Sequence, residues 1–276
     1  MKGKKTTQVI LNAAAFVIAL FMLFPIVWII LNSFKAETEI FAKPIRLLPR
    51  EFLTVSYTKY LVENNVFQGF FNSLFIASGS LLVGLAFAVP SAYGLARFRL
   101  KSAKAVLMMF LVTQMLPSSL LLTPMYLTFS KIGILNNYLA PILAVATINI
   151  PFIVVVTRPF FLNLPKGIDD AARIDGCTAF GAFFRVMLPI AKPGVVTSAA
   201  LAFIFGWNDL AYSMTFNIRP ALRPLTSIIY NLMPKEGVKW SGVMALATTA
   251  ILPIIVIFLI LQEHIVGGLT AGSVKE

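Results

Sequence analysis

Six long apolar runs dominate this sequence of 276 residues, and short segments that carry most of the charged residues separate them. A helix that crosses a lipid bilayer needs about 20 consecutive apolar residues. Each run has about this length, so the sequence predicts six transmembrane segments. They cover residues 9–34, 72–95, 105–129, 138–156, 194–216 and 242–261.

The composition excludes a soluble protein. Hydrophobic residues make up 58% of the chain and charged residues only 12%, whereas about 25% of a soluble domain is charged. A soluble enzyme, a disordered chain and a collagen-like chain are therefore excluded. One cysteine, Cys177, allows no internal disulfide bond. One cysteine and one histidine, His264, cannot form a His/Cys metal site, so we expect no metal and no cofactor in this chain.

The apolar runs read as helices. None of them shows the alternation of a transmembrane β-barrel strand, and the internal prolines predict kinks of the kind that helix bundles tolerate. The predicted fold class is an all-α integral membrane protein with six transmembrane helices. The prolines in question are Pro25, Pro90, Pro117, Pro151 and Pro253.

The basic residues predict the orientation. Residues 97–104 hold four arginines and lysines, while residues 130–137 hold only Lys131. The positive-inside rule then places both termini and residues 158–193 in the cytoplasm, and residues 35–71 and 217–241 outside. The first run follows three lysines but is too long for a cleaved signal peptide and lacks an A-x-A site, so we expect an uncleaved helix. The net charge of +12 fits this topology and contact with membrane lipid, and no nucleic acid is expected.

The long inner loop contains two short helical patterns. Ile168, Ala171, Ala172 and Asp175 recur at helical spacing, with two acidic residues in the first turn. Gly176 interrupts the pattern. A strongly aromatic helix follows, which we expect to lie against the transmembrane bundle and to end at Pro189 and Pro193; it contains Phe180, Phe183, Phe184, Met187 and Leu188. From the pattern alone, a docking helix for a partner and an ordinary interfacial helix are equally good interpretations.

Three motifs resemble one family. Asp170-Ala171-Ala172, then Gly176 after three residues, then Leu188-Pro189, resemble the EAA loop of ABC importer permeases, with Asp170 where that family usually has glutamate. Trp207-Asn208-Asp209 is similar to a W-N-[DE] motif of sugar-transporter members, and Trp240-Ser241-Gly242 to a further motif of that group. The segment 265–275 resembles the C-terminus of maltose-type and glycerol-phosphate-type permeases. The resemblance is strongest over residues 68–276, on the side of the smaller permease subunit.

This resemblance implies a function and its partners. The chain would be a permease subunit, not an enzyme, in the cytoplasmic membrane of a bacterium or archaeon. It would assemble with a second permease as a heterodimer, with two ATPase subunits that bind ATP and Mg, and with an extracytoplasmic sugar-binding protein. ATP-driven closure of the ATPases would switch the bundle between inward-facing and outward-facing states.

The resemblance also assigns regions. Residues 1–67 would be an N-terminal helix and outer loop, residues 68–262 the type I importer core of five helices with a coupling loop at 163–190, and residues 263–276 a cytoplasmic tail. The coupling helix would be about residues 168–179. The residues implied in coupling to the ATPase are Asp169, Asp170, Ala171, Ala172, Asp175, Gly176, Leu188 and Pro189. The glycine-rich tail 267–275, expected to have little structure of its own, would reach the ATPase interface through Gly268, Leu269, Thr270 and Gly272.

Neutral polar residues within the runs are candidates for the substrate path. A sugar offers hydroxyl groups and apolar ring faces, which such side chains recognise. Helix–helix hydrogen bonding is the alternative for each of them, and Asp209 is equally well interpreted as the cap of a kink. No lysine or arginine lies in the middle of a run, which favours a neutral sugar. The candidates are Asn72, Ser73, Gln114, Asn149, Asn208, Asp209 and Thr248.

Other classes fit less well. No G-x-x-x-x-G-K-[ST] motif occurs, so ATP binding by this chain is not expected. A secondary solute carrier usually has repeated halves and several buried ionisable residues. A membrane assembly protein remains compatible with the composition. Neither of these alternatives needs the motif from Asp170 to Pro189.

Overall fold

The computed structural model describes residues 2–165, 167–233 and 237–271, with side chains described only between residues 7 and 263. Helices joined by short turns make up this part of the chain, and no strand occurs in it. Short 3₁₀ turns lie at Ser118–Leu121 and Pro220–Leu222, and a π-helix at Phe183–Met187. The α-helices are α1 (Lys2–Ser33), α2 (Glu37–Ile40), α3 (Val55–Glu63), α4 (Val66–Arg97), α5 (Ala103–Met115), α6 (Leu122–Lys131), α7 (Leu139–Leu162), α8 (Gly167–Ile174), α9 (Ala179–Ala182), α10 (Leu188–Ile190), α11 (Lys192–Trp207), α12 (Ala211–Phe216), α13 (Leu225–Asn231) and α14 (Trp240–Ala271).

The long helices confirm the predicted fold class. Four stretches of the described chain are long and apolar enough to cross a membrane, and two bent pairs raise the number to six if each pair counts as one span. Pro25, Pro90, Pro151 and Pro253 lie inside long helices, as predicted. The four stretches are Thr7–Ser33, Val66–Arg97, Leu139–Leu162 and Trp240–Glu263.

The third and fifth apolar runs are not continuous helices, and this part of the prediction is wrong. Ala103–Met115 and Ser118–Lys131 are bent by 99° instead of being kinked. Pro117 stands at the break, where it lacks the amide hydrogen that a continuing helix requires. In the fifth run α11 ends at Trp207, and α12 begins only at Ala211.

The chain divides into two compact units. The first contains residues 1–67 and 228–252, and the second contains residues 68–227 and 253–276. Residues 228–252 thus group with residues 1–67 in this division, and the predicted importer core of residues 68–262 stays a prediction.

In the first unit, the segment after α1 is held by two buried or half-buried charged side chains. The Nζ atom of Lys35, which is 2% exposed, donates hydrogen bonds to Asn32 Oδ1 (2.9 Å) and to the Arg46 carbonyl (2.7 Å). The two carboxylate oxygens of Glu37 accept hydrogen bonds from the backbone amides of Trp240 and Ser241, each at 2.9 Å. These are the first two residues of α14, so Glu37 satisfies amides that no carbonyl within the helix can reach.

The core of the second unit is built around α7. Small residues permit a close approach between helices, as is common in membrane proteins. A Cβ atom added at Gly79 would lie 2.8 Å from Ile142 Cδ1, and one added at Gly206 would lie 3.0 Å from the Cα of Ala77. The helix α7 packs against α5, α11 and α12, so it positions most of this unit.

The C-terminal helix is longer than predicted. We expected the glycine-rich tail to lack structure, but the backbone of α14 remains helical through Ala271. Extending an existing helix adds one hydrogen bond for each residue fixed and needs no new nucleus, which offsets the cost of the glycines. Gly268, Leu269 and Thr270 therefore lie on helical backbone, and Gly272 lies outside the described residues.

Candidate coupling site

Helix α8 is a separate eight-residue helix with a defined start and end. Asp169 and Asp170 lie in its first turn, where the helix dipole favours negative charge. Gly176 has φ of +82° and ends the helix. Its amide donates to the Arg173 carbonyl (3.0 Å), and the Cys177 amide donates to the Ala172 carbonyl (2.9 Å). These two bonds form a Schellman motif, which requires a left-handed residue and so explains the glycine.

The coupling helix is therefore shorter than the predicted range 168–179. It stops at Ile174 because Gly176 reverses the chain, and a new helix starts after Thr178. The Thr178 hydroxyl accepts a hydrogen bond from the Gly181 amide at 3.1 Å, an N-cap of the ordinary kind.

The helix has an anchored face and an exposed face. Ala172 is 4% exposed, and Ile168 packs against the main hydrophobic cluster of the second unit. Ala171 and Asp170 are exposed, and so is Ile174, at 86%. An isoleucine this exposed beside a small residue and a carboxylate makes a surface suited to a partner. Asp175 and Gly176 are also exposed.

The aromatic segment after α8 is only half anchored. Phe183 and Met187 are buried in the same cluster, and Leu188 packs against it. Phe180 and Phe184 are 79% and 56% exposed, however, so this segment packs against the bundle through Phe183, Met187 and Leu188 and leaves two aromatic rings uncovered. Positions 180, 183, 184 and 187 would share one face of a regular α-helix, but Phe183–Met187 is a π-helix, which departs from that period. The chain then continues as a helix through Pro189, which is exposed, to Ile190 and bends at Ala191.

Asp169 turns inward and is bound at the end of α4. Its carboxylate accepts a hydrogen bond from the Tyr93 hydroxyl (2.8 Å) and pairs with the Arg97 guanidinium. The same guanidinium donates to the carbonyls of Leu164 (2.9 Å) and Pro165 (3.0 Å), in the turn before α8. The side chains of Arg97 and Asp169 are only 8% and 17% exposed. Asp169 is thus bound within this chain, whereas Asp170 is exposed.

A cavity of about 510 Å³ opens beside this pair. Its walls include Tyr93, Arg97, Asp169, Asp170 and Arg173. The cavity lies on the predicted cytoplasmic side and is part of the same coupling site. In the described part of the chain, no group of three or more His, Cys, Asp or Glu side chains is arranged to hold a metal ion.

Three candidates for the substrate path are buried and bonded within the second unit. Asn72 donates to the carbonyls of Ala221 and Arg223, both at 2.9 Å, and accepts from the Tyr138 hydroxyl at 2.7 Å. Ser73 accepts from the Leu225 amide at 2.9 Å, and Asn149 donates to the Ala202 carbonyl at 3.1 Å.

The remaining path candidates are scattered. Gln114 is exposed and donates to the Ile148 carbonyl, and Thr248 bonds to the Met244 carbonyl of its own helix. Asn208 is exposed at the end of α11. The Asp209 carboxylate accepts from the amides of Tyr212 (3.2 Å) and Ser213 (2.9 Å), which covers the start of α12. Asn208 and Asp209 are chain neighbours at the break in the fifth run, as Asn72 and Ser73 are on α4.

Sequence reasoning missed Tyr93 and Arg97. Arg97 entered the sequence analysis only as a basic residue that sets orientation, and Tyr93 lay unremarked at the end of an apolar run. Nothing local marks either residue, because Arg97 and Asp169 are 72 positions apart in the chain. An arginine in the last turn of a membrane helix, opposite a loop with two adjacent aspartates, is the one available signal.

Comparison with known proteins agrees with this geometry. Residues 80–270 match the family model described as "Binding-protein-dependent transport system inner membrane component". The sulfoquinovosyl glycerol transport system permease protein SmoH of Agrobacterium fabrum is 33% identical over 92% of this chain and 89% of its own length. The arabinooligosaccharides transport system permease protein AraQ of Halalkalibacterium halodurans is 30% identical over 94% and 93%.

A solved structure shares the fold. A chain of a bacterial ABC transporter that imports the acidic polysaccharide alginate superposes with a TM-score of 0.76 and 21% identity, over 95% of this chain and 98% of that one. The fold and the family model agree. The chain therefore belongs to the family of binding-protein-dependent transport system inner membrane components.

Proposed function

We propose that this chain is one permease subunit of an ATP-driven carbohydrate importer, and that α8 is the helix that docks on the ATPase subunit. The observation that carries the docking assignment is the surface of α8. A small, an apolar and an acidic side chain are exposed together on one face of α8, and its other face packs against the hydrophobic core of the second unit. The polar face of an interfacial helix is usually rich in lysine and arginine, whereas α8 exposes the acidic residues Asp170 and Asp175 beside its exposed isoleucine.

The partners follow from this assignment. A second permease would complete the translocation path, two ATPases would bind ATP and Mg, and an extracytoplasmic binding protein would deliver the substrate. The names of the relatives support a carbohydrate substrate, since SmoH and AraQ are described as permeases for sulfoquinovosyl glycerol and for arabinooligosaccharides. The proposal includes the cytoplasmic position of both termini, as the positive-inside rule predicts.

The proposal also includes the C-terminal segment and the substrate path. The helical backbone at 268–270 would extend α14 toward the ATPases instead of reaching them as an unstructured tail. Asn208 and Asp209, at the break between α11 and α12, are the path candidates that the fold leaves at a helix end, where side chains can face a water-filled cavity.

Substitution of Gly176 tests the docking assignment. A Cβ atom at this position meets nothing within 4 Å, so any side chain fits, but φ of +82° strains every non-glycine residue. Gly176→Ala and Gly176→Glu share this strain, and only glutamate adds a long charged side chain to the docking surface. We expect ATPase subunits to co-purify with the wild type and with Gly176→Ala, and to be lost from Gly176→Glu.

The measurement is co-purification of the tagged chain from its host in mild detergent, with the amount of folded permease checked by gel filtration. Equal loss of the ATPase in both variants would assign the effect to backbone strain and reject the docking surface. Recovery of the wild-type chain without any ATPase would reject the importer assignment and favour a carrier or an assembly protein.

A further inference from the structure

We propose that Arg97 is a positioning residue that makes α8 move together with α4 when the ATPase moves α8. This proposal rests on the proposed function, because it concerns how movement of the docking helix reaches the membrane-spanning part of the chain. Nothing in the EAA-like motif itself assigns this role to α4.

The covalent connections of α8 are poorly suited to transmit movement. On one side the segment from Asn163 to Pro165 leads back to α7, and on the other side Gly176 reverses the chain. The helix has only eight residues, and within it Ala172 and Ile168 are the apolar side chains that pack inward. A helix held by so few contacts can rotate against the bundle unless another interaction fixes it.

The pair of Arg97 and Asp169 supplies that interaction. Arg97 is the last residue of α4, and its guanidinium binds both the first turn of α8 and the preceding carbonyls of Leu164 and Pro165. Its planar fork of donors holds several acceptors in a fixed geometry, which a lysine cannot do. Because both side chains are largely shielded from solvent, removing one partner leaves the other charge buried without compensation.

Tyr93 ties the pair to the core. Its hydroxyl binds the same carboxylate, and its ring packs against Phe161 and Phe183, with centroids 5.5 and 5.0 Å away. Phe183 belongs to the segment that follows α8, so both sides of the coupling loop meet α4 at this one point. Movement of α8 would therefore be delivered along α4, which is 32 residues long.

Spin-label distances test whether the two helices move together. One label is placed on Cys177, the single cysteine, and one on Ser91→Cys, an exposed position of α4. The distance distribution is measured in the complete complex in lipid nanodiscs, without nucleotide and with Mg-ATP plus vanadate. We expect the same distribution in both states for the parent protein, and a shift on nucleotide addition for Arg97→Gln and Asp169→Asn.

The controls separate positioning from folding. Lys101→Gln removes an exposed charge of the same sign four residues further on and should behave as the parent. Asp169→Glu keeps the carboxylate and should restore the parent behaviour that Asp169→Asn loses. If Arg97→Gln does not fold, Tyr93→Phe, which removes a single hydroxyl, takes its place. A parent distribution that changes with nucleotide, or an Arg97→Gln complex whose labels stay together, would overturn the proposal.

Hydrogen exchange gives a readout that needs no ATPase. A hydrogen bond to a charged group contributes about 1.5–3 kcal/mol, so exchange of the α8 amides should accelerate roughly 10–100-fold in Arg97→Gln and stay unchanged in Lys101→Gln. Unchanged exchange in Arg97→Gln would refute the positioning role even if an ATPase binds. A wild-type chain without an ATPase partner would instead refute the proposed function and leave this result interpretable.

Discussion

Gly206 lies where α11 packs against α4, and its replacement by alanine tests how closely the two helices approach. An added Cβ atom would stand 2.8 Å from Ser80 Oγ and 3.0 Å from the Cα of Ala77. The serine hydroxyl can rotate away, but the backbone of Ala77 cannot. Gly94 in α4 is the matched control, because its added Cβ would meet only Phe98 Cδ2, at an ordinary 3.8 Å.

The two substitutions share one favourable effect and differ in one unfavourable effect. Alanine is preferred over glycine inside a helix by about 1 kcal/mol, so Gly94→Ala should stabilise the protein by about this amount. Gly206→Ala has the same gain, but forcing a methyl group into a closed contact costs about 1–3 kcal/mol. The two variants should therefore differ by about 1–3 kcal/mol, which corresponds to roughly 2–12 °C in Tm for a protein of this size.

Thermal unfolding of the purified chain in one detergent measures this difference. We expect Gly94→Ala at or above the parent Tm and Gly206→Ala below Gly94→Ala by the stated margin. Equal Tm values for the two variants would show that α4 and α11 are not in backbone contact at Ala77, and would refute the reasoning from close packing.

Two further predictions concern polar contacts. Burial raises the pKa of Glu37, but hydrogen bonds from Ser241 and Trp240 and the charge of Lys239 outweigh it and leave that pKa below its ordinary value of 4.5. The folded state thus favours the charged form of Glu37. The stabilisation of the fold by this carboxylate is present above pH 4.5 and is lost as the pH falls through the lowered pKa. Unfolding of the parent and of Glu37→Gln, measured against pH, should show this loss in the parent alone. Tyr138→Phe leaves Asn72 Oδ1 without the hydroxyl that donates to it at 2.7 Å. This loss should destabilise the protein by about 1–3 kcal/mol in chemical unfolding. An unchanged unfolding midpoint would show that the hydrogen bond contributes nothing to stability.

The coupling loop shows how far sequence reasoning extends. The pattern of Ile168, Ala171, Ala172 and Asp175, interrupted by Gly176, predicts a short helix and its end, because capping and periodicity are local. The pattern did not show that Asp169 and Asp170 point to different surroundings. Two adjacent aspartates look alike in the sequence, and only the position of Arg97 on another helix distinguishes them.

The apolar runs show the same difference between what the sequence predicts and what the tertiary structure decides. Hydropathy located all six runs because the cost of placing polar groups in lipid depends on composition over a single segment. It did not locate the 99° bend in the third run or the break between α11 and α12 in the fifth run. A proline or glycine permits a break, but whether the helix continues depends on which neighbouring groups satisfy the freed carbonyls.

The sequence by itself therefore determined that this chain spans a membrane as helices, where the apolar runs lie and where the short helix α8 ends. The tertiary structure decided which face of α8 is exposed, that Asn72 and Asn149 bond within the fold, and that Arg97 holds the first turn of the coupling helix. The physical reason is the distance along the chain over which each interaction acts. Hydrophobicity, capping and helical periodicity act over neighbouring residues, whereas an ion pair or a close helix contact joins residues tens of positions apart and exists only once the helices have packed.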